Sequence, residues 1–152
     1  MTQPRIDSIK IKMEHDTDPY HALENLGTWS DTPEEGAIDV RPMDANRFRY
    51  FNPAISEYAK ENLARIRAYE RGEWYVHGVS ADAVVSYPEG EHIRRLTTFT
   101  SGSIGGVESD SDDAYIHTLA EEQLADLRDH LAVFGVNLDN FGTLAKEALD
   151  NL

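Results

Sequence analysis

Hydrophobic residues change their period in the second half of this chain, and that change restricts the fold more than any other feature. From Trp74 to Thr100 the alternation is that of strands, whereas beyond Asp113 the apolar positions recur every third and fourth residue. In the first stretch Tyr75, Val79, Ala81, Ala83, Val85 and Tyr87 share one face. Pro88-Glu89-Gly90-Glu91 then turns the chain, and His92–Thr100 returns, so the segment predicts a β-hairpin. In the second stretch Ile116, Ala120, Leu124, Leu127, Leu131 and Phe134 form the stripe of a long amphipathic helix that Gly135 ends. Leu138, Phe141, Leu144, Ala145, Ala148 and Leu149 predict a final helix over 138–151. Each face needs a cover, and a hairpin followed by helices supplies it by packing one on the other.

The first half adds to the same plan. Ile9, Ile11 and Met13 alternate with Lys10 and Lys12, predicting a strand over 5–14. Between Asp16 and Asn52 prolines and glycines interrupt the pattern, leaving room for a short helix near 20–26 and a short strand near 37–41. Asn52-Pro53 has the form of an N-cap followed by proline, and Ile55, Tyr58, Ala59, Leu63, Ile66 and Tyr69 predict a helix over 53–71 that stops at Gly72. The expected fold is α+β, a small, mainly antiparallel sheet of three or four strands packed against about three helices. A chain of 152 residues with 40% hydrophobic content fits one domain over 1–152. There is no cysteine, so disulfides, thiolate zinc sites and cysteine nucleophiles are excluded.

Charge is the second constraint. Twenty-eight acids against 14 bases give −14, a balance that repels phosphates and anionic lipid headgroups. The excess is uneven: residues 1–52 carry −4, residues 53–100 carry −1 and residues 101–152 carry −9. Direct nucleic-acid binding is therefore not expected. No apolar run approaches the roughly 18 residues of a membrane span, and Met1–Arg5 lacks the apolar stretch of a signal peptide. The expected location is the cytoplasm, with no membrane partner.

Motifs for chemistry fall short. The stretch Ser101-Gly102-Ser103-Ile104-Gly105-Gly106 lacks the lysine of a phosphate loop, and four acids follow it, so it reads as a flexible or sharply turning connection. Asp110, Asp112 and Glu121 occupy the first, third and twelfth places of an EF-hand-like loop. Ala114 stands at the fifth and Tyr115 at the glycine, so capping of the following helix is preferred to calcium binding. The six histidines show no H-x-x-x-H spacing, and there is no G-x-S-x-G. His77 reads as a partly buried, hydrogen-bonded strand residue rather than a base. In Arg47-Phe48-Arg49-Tyr50-Phe51 the expected arrangement is aromatics in the core and arginines paired with local acids. No enzyme activity, cofactor or metal is expected.

From Trp74 to about residue 136 the chain resembles an uncharacterised family of small proteins carried by phages, plasmids and other mobile elements. The resemblance rests on Trp74-Tyr75-Val76-His77-Gly78-Val79-Ser80-Ala81-Asp82-Ala83, on Ser101-Gly102-Ser103-Ile104-Gly105-Gly106-Val107-Glu108-Ser109-Asp110-Ser111, and on Glu121-Glu122-Gln123-Leu124-Ala125-Asp126-Leu127. Where the family has Ser-Gly-Gly-Leu-Trp-Gly-Ile-Glu-Ser-Asp-Ser, this chain has Ser103 and Gly105, and the tryptophan is absent. The resemblance implies a mobile-element accessory protein, for which interference with host defence is the natural expectation.

The acidic last third then suggests how. Glu108, Asp110, Asp112 and Asp113 precede or open the long helix, and Glu121, Glu122, Asp126 and Asp129 lie along it. Such a face would bind a basic, nucleic-acid-handling defence complex of the host, of anti-CRISPR or anti-restriction type, by setting carboxylates in place of phosphates. From Asp112 to Asp129 a helix runs about 26 Å, a length over which duplex DNA carries roughly 15 phosphates. One helix offers fewer, so mimicry needs acids from other elements or a homodimer. Two other readings compete. Glu108, Asp110 and Asp112 would make a carboxylate cluster for Mg²⁺ or Ca²⁺, and a structural accessory protein would owe its acidity to its source.

Overall fold

Strand β5 (Val76–Pro88) organises the larger of two compact units. The computed structural model describes residues 3–16, 23–40 and 48–152. One unit comprises Met1–His15 with His77–Leu152, and the other Asp16–Val76. In the first, β1 (Arg5–His15) runs antiparallel to β5 from Arg5↔Ser86 to His15↔His77, and β6 (Arg94–Thr100) pairs the other side of β5 from Asp82↔Thr100 to Pro88↔Arg94. A further strand, β7 (Ile104–Glu108), also pairs β5. The result is an open, four-stranded antiparallel sheet.

The expected face of β5 is its core face, since Val79, Ala81, Ala83 and Val85 are fully buried. Ala81, Ala83 and Val85 meet Leu124, Leu127 and Leu131 of helix α2 (Asp113–Val133) and Phe141 of helix α3 (Phe141–Asp150). A second cluster joins Val79 and Val107 to Ile116, Leu119 and Ala120 at the other end of α2. Helix α2 stops at Gly135, whose φ of 70° suits glycine. There Gly135 N–H donates to the Ala132 carbonyl and Val136 N–H to that of Leu131, both at 3.1 Å, while Val136 and Leu131 pack in the same core cluster.

Two elements depart from expectation. The glycine-rich stretch contains strand β7 rather than a flexible link, with Gly106 at φ 71°. Its neighbour Val107 is buried, and that burial pins the segment to the core. In the other unit, the helix expected over 53–71 is shorter. Tyr50–Pro53 is strand β4, residues 56–58 form a 3₁₀ turn, and helix α1 spans Ala59–Glu70. Asn52 is not an N-cap: its side chain accepts from Glu34 N–H and donates to the Thr32 carbonyl, each at 3.0 Å.

Strand β4 lies between β2 (Gly27–Ser30) and β3 (Ile38–Asp39) in a three-stranded antiparallel sheet. Its Phe51 is buried with Val40, Leu63 and Ile66, and Arg49 pairs with Asp39 at 3.0 Å, as the arginine–aromatic stretch suggested; Arg47 lies outside the described residues, as do residues 20–22 of the expected short helix and residue 41 at the end of the expected short strand. No helix among the described residues is long and apolar enough to cross a membrane.

Candidate functional site

The acids singled out in the sequence gather on one element and its approach. Strand β7 ends at Glu108, and a turn closed by Ser111 N–H on the Glu108 carbonyl (3.0 Å) brings the chain to α2. Asp112 is the N-cap, its carboxylate accepting from Ala114 N–H at 2.7 Å, which satisfies one of the donors that a helix start leaves open. Asp113 follows in the first turn, where the helix dipole favours negative charge. Asp110, Asp112 and Asp113 are exposed, and Glu108 is half-buried.

Along the helix the acids divide by what they touch. At about 100° per residue, Glu122 and Asp129 fall within about 20° of each other on the outward face, and both are exposed. Asp126 lies about 40° from Glu122, towards the sheet. Its Oδ2 accepts from Gly102 N–H at 2.7 Å, and its Oδ1 is 3.8 Å from His130 Nε2 one turn on. Glu121, on the opposite flank, lies 2.8 Å from His117 Nδ1. Asp112 and Asp126 therefore hold the structure as well as adding charge. Glu122, Asp129 and Asp113 are left to face solvent.

Beside Asp126 is a second fastening that the pattern of acids does not reveal. Gln123 sits in the apolar stripe of α2 and is 6% exposed. Its side-chain oxygen is 3.0 Å from Ser101 Oγ, which accepts from the fully buried Ala81 N–H at 2.8 Å and lies 2.7 Å from the Gly102 carbonyl. Ser101 and Gly102, at the junction of β6 and β7, are thus bonded to two successive turns of α2. This clamp sets the helix on the sheet. Its only sign in the sequence is a glutamine where the helical period calls for an apolar residue.

The charge of this unit is divided between layers. Arg5, Lys10, Lys12, Arg94 and Arg95 all lie on β1 and β6, whereas the segment 101–152 carries 11 acids and two bases, Arg128 and Lys146. Lys10 and Lys12 alternate with Ile9 and Ile11, which pack towards the core, so the lysines project from the sheet face opposite the helices. Among the described residues no lysine or arginine pairs with Asp113, Glu121, Glu122, Asp126 or Asp129. The helical layer is accordingly a source of net negative potential.

His77 is 2% exposed. Burial pushes its imidazole below the usual histidine range; a hydrogen bond to the Glu108 backbone opposes this, and the charge of His15, its partner across the strands, adds to it. Among the described residues, no three histidine or carboxylate side chains converge as a metal site. The chain matches no protein-family model, no curated protein and no solved structure.

Proposed function

We propose that this chain is a non-enzymatic binding protein of a mobile element. It acts in the cytoplasm of the host cell, where it inhibits a nucleic-acid-handling defence complex of anti-CRISPR or anti-restriction type. The observation that supports this reading is the acidity of α2 and its start: Glu122 and Asp129 on the outward face and Asp113 in the first turn, all exposed and paired with no lysine or arginine among the described residues, joined by Asp110, Asp112, Glu121 and Asp126. A surface of this kind draws basic grooves by long-range attraction and weakens as salt screens it.

Three exposed carboxylates do not replace the roughly 15 phosphates of a duplex of the helix's length. The face is matched instead to a local phosphate-binding patch of a few arginines and lysines, occupied in competition with nucleic acid. Rigidity matters to that competition, because a preorganised surface loses less entropy on docking. The clamp from Ser101 and Gly102 onto Gln123 and Asp126 supplies it.

Affinity capture tests the reading. Immobilised protein is incubated with lysate of a bacterium carrying restriction and CRISPR systems, at about 50 and about 300 mM salt, a range over which screening of surface charge changes strongly, beside a Glu122→Gln/Asp129→Asn/Asp113→Asn variant. The expected result is retention of a nucleic-acid-binding defence complex at low salt that is lost at high salt and in the variant. Retention indifferent to both, or retention of no such complex, contradicts it.

A further inference from the structure

Strand β1 is an outer strand of the four-stranded sheet and runs for 11 residues. Its first residues are closed off. Arg5 bridges Asn137, Asn137 N–H donates to the Pro4 carbonyl at 2.9 Å, and the Asn140 side chain donates to the Ile6 carbonyl at 2.9 Å. From Ile9 onward, among the described residues, only β5 pairs with it.

The hydrogen-bonding parity of that open edge follows from β5. Ala81 exchanges its backbone bonds with Ser101, on the side away from β1, so Gly78, Ser80 and Asp82 direct theirs towards β1. The Asp16 N–H bond to the Val76 carbonyl continues the same parity. The partners of Gly78, Ser80 and Asp82 are Glu14, Lys12 and Lys10. Ile9, Ile11 and Met13 consequently turn their N–H and C=O groups to the open edge.

A closed pair of identical chains aligns this edge with itself, reversed about a two-fold axis. Every two-fold register centred on a residue of β1 matches both faces and uses the outward groups, but only the one centred on Lys12 covers the strand from Ile9 to its end at His15. Centred on Ile11, the pair sets Lys10 against the second copy's Lys12. Centred on Lys12, it sets Lys10 against the second copy's Glu14 on both sides of the axis, and Ile11 against the second copy's Met13. Charge rejects the Ile11 register, and length selects Lys12 over Met13, since a pair centred on Met13 also sets Lys12 against Glu14 but covers only Ile11–His15 of β1. Lys12, at its axis, is already compensated by Glu14 at 3.6 Å and Asp82 at 3.7 Å. Lysines on an edge ordinarily discourage pairing; here each Lys10 meets a carboxylate.

Apolar surface lies beside the same edge. Met13 is 45% exposed and Leu152 41%. Met13 lines two shallow cavities of about 250 and 220 Å³, shared with Ile11 and Ala148 in one and with Ile116 and Leu149 in the other.

We propose that the β1 edge is a self-association surface, through which two copies of the chain join antiparallel about Lys12 into one eight-stranded sheet. The inference does not rest on Glu122 and Asp129, although Asp113 lines one of the two cavities beside the edge. Sedimentation and light scattering of the parent chain, of Lys10→Glu, of Glu14→Lys and of an equimolar mixture of the two variants test it. The parent is expected to be a dimer. Each variant should dimerise roughly thirtyfold more weakly, since two cross-strand pairs turn from attraction to repulsion. The mixture should recover the parent's affinity as a heterodimer, because positions 10 and 14 then carry opposite charges across the interface at both of its pairs; circular dichroism checks that both variants are folded. A parent that stays monomeric, variants that dimerise as the parent does, or a mixture of folded variants that fails to associate would each overturn the proposal.

Discussion

Replacing Ser101 by alanine removes one oxygen and orphans two buried groups. The Ala81 N–H is in a residue with no exposed surface, and Gln123 is 6% exposed. The hydroxyl has one proton and two acceptors within reach; when the proton goes to the Gly102 carbonyl, the Gln123 amide must turn its NH₂ towards Oγ. In either arrangement Ser101→Ala leaves a backbone donor and an amide without a partner. At about 1–3 kcal/mol for each buried group left unsatisfied, the loss is about 2–6 kcal/mol, a large part of the roughly 5–15 kcal/mol typical of a domain. Urea denaturation should show the midpoint falling by about 1–3 M for a slope of about 2 kcal/mol/M. Adding Gln123→Leu removes one of the orphans, so the double variant should be more stable than the sum of the two single losses. A Ser101→Ala midpoint within about 0.3 M of the parent's, or strict additivity with Gln123→Leu, would count against this bonding scheme.

Three further outcomes follow from the same structure. His77 binds protons less readily folded than unfolded, so stability is complete above the unfolded value of about 6.5 and declines as pH falls through and below it; thermal melts at about pH 7.5 and about pH 5, on either side of that value, should show the decline, and His77→Gln should flatten it. Asn52→Ala leaves the Glu34 N–H and the Thr32 carbonyl without their partner and should cost about 1–3 kcal/mol at about 0.5–1.5 kcal/mol per bond, read from the change in Trp29 and Trp74 fluorescence in denaturant. Glu122→Gln/Asp129→Asn should leave the urea midpoint unchanged or slightly raised, because the two exposed acids pair with no cation among the described residues, whereas Asp126→Ala should lower stability by about 1–2 kcal/mol through the Gly102 contact.

Much of the larger unit was legible because its sequence periods agree with its burial. The alternation of Val79, Ala81, Ala83 and Val85, the α2 stripe from Ile116 to Leu131 and the stop at Gly135 all became structure within a residue or two. The misreadings share a cause. Asn52-Pro53 has the local chemistry of a helix start, but the tertiary bonds of Asn52 to Thr32 and Glu34 place it in a strand. Gly105 and Gly106 suggest a loose link, yet Val107 buries against Val79 and Ile116 and makes the segment a strand. Local signals are overridden where partners are distant in the chain, as the separation of 18 positions from Glu34 to Asn52 illustrates. The capping role of Asp112 was readable from its place before the stripe. The roles of Asp126 and Gln123 were not, since each depends on where the β6–β7 junction falls against the helix.

Competition with nucleic acid for a defence complex, through the acidic face of α2, is the claim on which the proposed function stands. DNA cleavage by purified CRISPR effector and restriction complexes, assayed with increasing amounts of this protein at about 50 and about 200 mM salt, tests it most directly. At least one complex should be inhibited, excess duplex DNA should relieve the inhibition, and higher salt and the Glu122→Gln/Asp129→Asn/Asp113→Asn variant should each weaken it by about tenfold or more. Inhibition that ignores salt, competitor DNA and those three residues would contradict the claim, as would full cleavage by every complex.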